Sequence, residues 1–301
     1  MLLKIIICII LFIGILLLYL IYYCLEKRNT IKIEKKINFK NNIIIGEKDI
    51  HKLCKEYLTS IFSDDQLLVS YNKKFNYCEK LNKLIRSYPN SNKYFLFKII
   101  NGLHLDENSY FINTEQLSIP YWLNYIRELK KMHSQLKFLD YSYQNVRILK
   151  EIGIQSKYFP YNEYKPEIFN FKKVYDVAII GLDLKNKKKQ NSRRNKIYNL
   201  LIQKGVKVNN ICGFNFDDRD IDLFQHKILL NIHFDENYII YEEIRCTRCT
   251  LNNIIVITEE SDNLSEYMYY EKIIEVKYEK IVDKTIEVLE NYNHYYKKLF
   301  N

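Results

Sequence analysis

The stretch VYDVAIIG (residues 174–181), with LDLKNKKKQNS (182–192), RRNKIYNLLIQKG (193–205) and VKVNNIC (206–212) after it, decides the fold class. Six apolar residues broken only by Asp176 read as a buried strand ending at Gly181. The polar run is a loop, and residues 193–204 have helical period until Gly205 stops them. A strand, a helix and a second apolar strand in that order form a parallel unit, because a parallel pair needs a crossover that covers the sheet. The rhythm continues with a helix at 218–226, a strand at 228–233, a helix at 242–251, a strand at 254–258 and a long helix at 280–299. Upstream, strands are expected at 42–45, 66–70, 94–100, 110–113, 138–141 and 158–159, with helices at 51–62, 75–87, 121–131 and 144–152. Pro160 and Pro166 mark the join. The expectation is an α/β protein of two Rossmann-like domains, residues 42–160 and 174–301, with an interdomain linker at 161–173.

The chain has 301 residues, 48% of them hydrophobic and 27% charged, which excludes disorder and leaves room for two cores. Glycine is scarce at seven, and Ala178 is the one alanine, so motifs built on these residues under-report here. Residues 5–25 carry no charge, and 21 residues at about 1.5 Å each span a bilayer's hydrocarbon core. A signal peptide is the rival, but its apolar region is shorter and ends in small residues, whereas this one runs into Tyr19, Tyr22 and Tyr23. Residues 1–25 are therefore expected to be a single-pass transmembrane anchor and 26–41 a basic linker. Six basic side chains against two acidic ones in residues 26–40 bias the body toward the cytosol. Of seven cysteines, Cys246 and Cys249 form a lone CxxC without a second pair, read as two small apolar residues on one helix face.

In open parallel sheets ligands bind beyond the carboxyl ends of the strands. Asp183, His233 and Glu259 follow strands, and Arg193 and Arg194 open a helix after a lysine-rich loop, an arrangement suited to phosphate. Asn231 and His233 are polar at the end of an apolar strand. Glu243 and Arg245 start the next helix, and Glu259, Ser261 and Asp262 close the strand after it, all on the same edge. The formal charge of +10 resolves into the membrane-flanking collar and the loop 183–194, and no nucleic-acid-binding signature accompanies it.

The stretches SRRNKIYNLLIQKGVKV (192–208), RDIDLFQHKILLNIHF (219–234) and EEIRCTRCTLNNIIVITEES (242–261) resemble the carboxyl-terminal half of glycosyltransferases with two Rossmann-like domains. The likeness is to group-1-like members, closest to those of giant DNA viruses. INTEQL (112–117) and LDYSYQNVRILKEIG (139–153), followed by YFPY (158–161), are similar to the end of the same family's first domain. The resemblance implies a GT-B architecture in which the second domain holds a nucleotide-sugar and the first holds a glycan, lipid or protein acceptor. It implies no metal and no cofactor beyond the donor substrate. On these positions Arg193 and Arg194 would face the diphosphate, with Asp183 beside them. Glu243 and Arg245 would lie by the donor sugar or phosphate, Glu259, Ser261 and Asp262 near the nucleoside, and His233 or Glu115 would act as base toward the acceptor.

Two departures stand out. Arg248 occupies a place where many relatives have an acid, which raises the alternative of a degenerate binding module tethered to a membrane. No glycine stands near Asn252 or Asn253, although asparagine is able to take left-handed backbone angles.

Overall fold

The computed structural model describes residue 17 and residues 32–35, 42–62, 67–71, 78–160, 171–182, 192–211, 221–262 and 264–301. The expected membrane anchor, apart from residue 17, and Asp183 lie outside these. Among the described residues no helix is long and apolar enough to cross a membrane.

Two parallel sheets organise the chain. The first contains β1 (Lys32–Lys35), β2 (Asn42–Glu47), β3 (Leu67–Tyr71), β4 (Asn92–Leu96), β5 (Ser109–Asn113), β6 (Lys137–Asp140) and β7 (Ser156–Tyr158). Their order is β1-β3-β2-β4-β5-β6-β7, and only β1 is antiparallel to its neighbour. The second holds β8 (Tyr175–Ile180), β9 (Val208–Ile211), β10 (His226–Asn231), β11 (Ile255–Glu259) and β12 (Ile273–Val276), in the order β12-β11-β10-β8-β9, all parallel. The strand order reverses between β2 and β4 in the first sheet and between β8 and β10 in the second. Such switch points leave a crevice outside the strand ends, because the crossovers on either side depart to opposite faces.

The helices are α1 (Lys48–Leu53), α2 (Lys55–Phe62), α3 (Cys78–Ser87), α4 (Pro120–Met132), α5 (Tyr143–Glu151), α6 (Arg193–Gln203), α7 (Glu243–Leu251), α8 (Ile281–Glu290) and α9 (Tyr292–Phe300). Consecutive strand residues enter opposite cores, as a sheet covered on both faces requires. Ile43 and Ile45 pack into one cluster and Ile44 into the other; Val177 and Ile179 face one side of the second sheet and Ala178 its opposite. Ala178 shares that side with Cys246 and Cys249 of α7, three small buried residues that let helix and sheet approach closely. Neither cysteine is in a disulfide and both are buried, in keeping with the structural reading of the CxxC.

The differences from expectation have local causes. His226 begins β10 rather than ending a helix; it is fully buried, and its Nδ1 lies 2.7 Å from the Asp222 carbonyl. The segment read as basic linker contributes β1, and β12 was not anticipated at all. The long terminal helix breaks at Asn291. Asn253 stands at φ +56 just beyond α7, and Ile254 N–H donates to the Cys249 carbonyl at 2.9 Å. It does the work of the missing glycine in a Schellman stop.

Candidate functional site

Strand β5 runs directly into Thr114, Glu115 and Gln116, and a buried polar cage fixes that turn. Asp140, at the end of β6, accepts from Asn113 Nδ2 at 2.7 Å, Asn145 Nδ2 at 2.9 Å and Ser142 N–H at 2.9 Å. Asn113 and Asn145 each also donate to the Glu115 carbonyl, at 2.8 and 2.9 Å, while Asn145 Oδ1 accepts from Leu117 N–H. Burial pushes the Asp140 carboxyl up to about 7, against the pull of its three donors. The INTEQL and LDYSYQN stretches are thus scaffolding whose product is the position of Glu115 and Gln116.

Gln116 joins the two sheets. Its Nε2 donates to the Ile240 carbonyl at 2.8 Å, and its Oε1 accepts from Ile240 N–H at 2.9 Å. One buried amide thereby mimics a strand pairing between segments 124 residues apart. Ser118 Oγ adds a bond to the Asn237 carbonyl, and Arg147 pairs with Glu266 across the same seam.

Between the halves lies a cavity of about 280 Å³. The first domain gives it Glu115 and Tyr141, and the second Arg194, Tyr238, Glu242 and Arg245. Arg194 sits at the second sheet's switch point: Nε donates to the Ile232 carbonyl at 2.8 Å and Nη1 reaches the Ile180 carbonyl at 3.5 Å. Gly181, at φ +80, makes room for it, since a Cβ there would stand 3.2 Å from Nη1. Arg245 bonds Asn231 Oδ1 at 3.3 Å and lies 3.6 Å from Glu242, while Asn231 Nδ2 donates to Thr258 Oγ1 at 3.0 Å. The odd polar residue of β10 is therefore a tie between Arg245 and β11.

The electrostatics are lopsided. Burial, then the neighbouring Arg245, lowers the Arg194 guanidinium to about 10. Burial, then the Glu242 carboxylate, raises Glu115 to about 7, with Lys98 and Arg245 opposing. Two cations and two carboxyls share a poorly solvated space, so the arrangement suits an anion that lies against the arginines, with a proton acceptor opposite.

The structure distributes the expected residues unequally. Glu115, Arg194 and Arg245 line the cavity. Glu243 does not; it borders an adjoining crevice with Tyr158, Tyr267 and Asp262. The helix begins after Glu242, so residue 242 faces the cavity and residue 243 turns aside. His233 is also absent from the lining: its Nε2 lies 3.1 Å from the Glu260 carbonyl and 3.2 Å from Ser261 Oγ, under the end of β11. Arg193 pairs with Glu259 and stacks on Tyr278 with 3.9 Å between guanidinium and ring centre, so these two expected donor contacts satisfy each other. Ser261 N–H is held by Glu275 at 2.9 Å. Arg248 is buried in the second domain with its guanidinium 4.9 Å from the Phe224 ring centre, and it does not line the cavity. Gln116, Tyr238 and Glu242 were not among the expected site residues; Gln116 lies in the INTEQL stretch and Glu242 opens the helix expected at 242–251.

No family model matches the chain. It is 33% identical over 190 residues to uncharacterized protein L140 of Acanthamoeba polyphaga mimivirus, an alignment covering 62% of this chain and 61% of L140. The chain thus spans about three fifths of that relative's length. Among solved structures, a glycosyltransferase from Rickettsia africae ESF-5 is similar with a TM-score of 0.45 and 10% identity, covering 87% of this chain and 94% of that one. An α1,3-fucosyltransferase is similar with a TM-score of 0.37 and 14% identity, over 91% and 86%.

Glu115 gives a prediction of known sign. Its folded value of about 7 exceeds the ordinary 4.5, so the fold binds its proton more tightly than the unfolded chain does. Its contribution is fully present below pH 4.5 and is lost as pH rises through 7. Glu115→Gln should therefore be more stable than the parent at pH 8 by as much as about 3 kcal/mol and little different at pH 4.5, measured by urea unfolding. An identical pH dependence in both proteins would place the Glu115 carboxyl in solvent.

Proposed function

We propose that this chain is a glycosyltransferase of GT-B architecture, acting from a nucleotide-sugar donor onto a hydroxyl of a glycan, lipid or protein. The observation that carries the reading is the Arg194 and Arg245 pair held in one cavity between two parallel sheets, opposite Glu115. The motif order across residues 112–261 supports it. In this reaction the bond from the sugar's anomeric carbon to the diphosphate oxygen breaks, and a bond to the acceptor oxygen forms. The acceptor's proton passes to Glu115, whose value near 7 is matched to a base working at neutral pH. The departing diphosphate takes the electron pair, and its charge falls on Arg194 and Arg245, both fixed before the reaction by bonds to backbone and Asn231.

The position of Arg248 favours the active reading over that of a degenerate copy. Arg248 lies on Phe224 in the core and makes no contact with the cavity. We extend the proposal to the amino terminus: residues 5–25 tether the enzyme to a membrane with its body on the cytosolic side, and the relative L140 suggests a viral setting. Retention of the full chain in the membrane fraction after alkaline carbonate washing is the expected result, and release into the supernatant would remove the tether.

For the chemistry, donor hydrolysis and transfer are followed across nucleotide-sugars. Arg194→Met and Arg245→Met should each lower kcat/KM by roughly 10²–10³. Both should also weaken the thermal shift that a nucleoside diphosphate produces in the parent. Undiminished turnover in the double variant would overturn the assignment.

A further inference from the structure

Strand β4 ends at the first sheet's switch point, and the residue leaving it is conformationally unusual. Phe97 has φ +72, a left-handed value that is costly for a bulky side chain. Lys98 N–H closes back onto the Leu96 carbonyl at 2.9 Å, which makes the turn a tight γ-turn centred on Phe97. Strain of this kind persists where the surroundings over-determine it, and its product here is a side-chain position. The Phe97 ring stands 5.2 Å from Trp122, the third residue of α4, and Tyr121 meets Trp122 edge-on at 4.9 Å. Lys98 Nζ lies 5.1 Å from the centre of Phe97 and 5.3 Å from that of Trp122. Tyr121 is 61% exposed, and Phe97 and Trp122 are half-buried.

The ledge lies on the same edge of the first sheet as Glu115, although its residues do not themselves line the cavity. Strands β4 and β5 are neighbours in register, Leu96 opposite Ile112, and Phe97 N–H donates to the Ile112 carbonyl. Phe97 therefore leaves the sheet edge one strand from Glu115, and Lys98 is close enough to act on the Glu115 charge. Aromatic faces carry negative partial charge and attract the polarised C–H face of a pyranose ring, while an ammonium beside them donates to its hydroxyls. A lipid chain would use the aromatic surface but leave Lys98 unanswered.

We propose that Phe97, Tyr121 and Trp122, with the Lys98 ammonium over the Phe97 and Trp122 rings, form a stacking subsite for a pyranose ring of the acceptor, placing a sugar hydroxyl toward Glu115. This rests on the glycosyltransfer reading and narrows the acceptor to a glycan. The chain's one tryptophan is Trp122, so intrinsic fluorescence reports on the ledge itself.

The test titrates the full chain with chitotriose, mannotriose and lactose, by fluorescence and by calorimetry, beside a nucleoside diphosphate thermal shift. At least one sugar should shift Trp122 emission. Tyr121→Ala and Phe97→Gly should weaken its binding about tenfold without altering the nucleotide shift. Because glycine accepts φ +72 freely, Phe97→Gly should keep or raise the Tm; a lowered Tm with unchanged sugar affinity would mean that the turn only packs α4, and would overturn the proposal. A nucleotide shift with no response to any of the three sugars would likewise overturn the ledge while leaving the glycosyltransfer reading standing. Sugar binding without any nucleotide response would support the ledge and remove that reading instead.

Discussion

The two hydrogen bonds between the Gln116 side chain and the Ile240 backbone are the constraint on which the site depends. Parallel sheets each bring their own carboxyl edge into being, but nothing within a sheet aims it at the other. Gln116 does so by offering a strand-like donor and acceptor from a buried position, in surroundings where each bond is worth more than in water. It is adjacent to Glu115, so the link that closes the cleft also sets the depth of the carboxyl. On the other side Ile240 is followed within five residues by Glu242 and Arg245. Carboxyl and cations are thereby referred to one fixed point.

Charge is arranged against its own comfort. Arg194 is half-buried beside Arg245, and Glu115 is half-buried beside Glu242, so the ionised forms of Arg194 and Glu115 are disfavoured, first by burial and then by the like charge. The cross attractions offset part of this, which keeps the cavity compatible with folding. A polyanion on the arginine side would relieve the rest. A site that is uncomfortable when empty and balanced when filled is one way a protein favours a charged ligand without a large apolar surface.

The alternation of strands and helices was legible because period and apolar runs are local properties, and Gly181, Gly205 and Asn253 were legible as stops for the same reason. Arg194 was legible as a residue at a helix start, whereas Glu115 came only from the resemblance of INTEQL to a family's first domain. The choice between Glu242 and Glu243 was not, because it turns on a single residue of helix phase. His233 looked like a base and became a buried partner of Ser261, since which way a strand-end ring turns depends on β11 beside it. Arg193 and Glu259 are 66 residues apart, and neither shows in sequence that it answers the other. The strain at Phe97 left no trace either, there being no glycine to announce it.

A crystal structure of the chain with a nucleoside diphosphate would show where the anion binds. The diphosphate is expected between the guanidinium groups of Arg194 and Arg245, on the cavity wall opposite Glu115. A diphosphate bound instead at Arg193 and Glu259, with the cavity left to solvent, would contradict that placement.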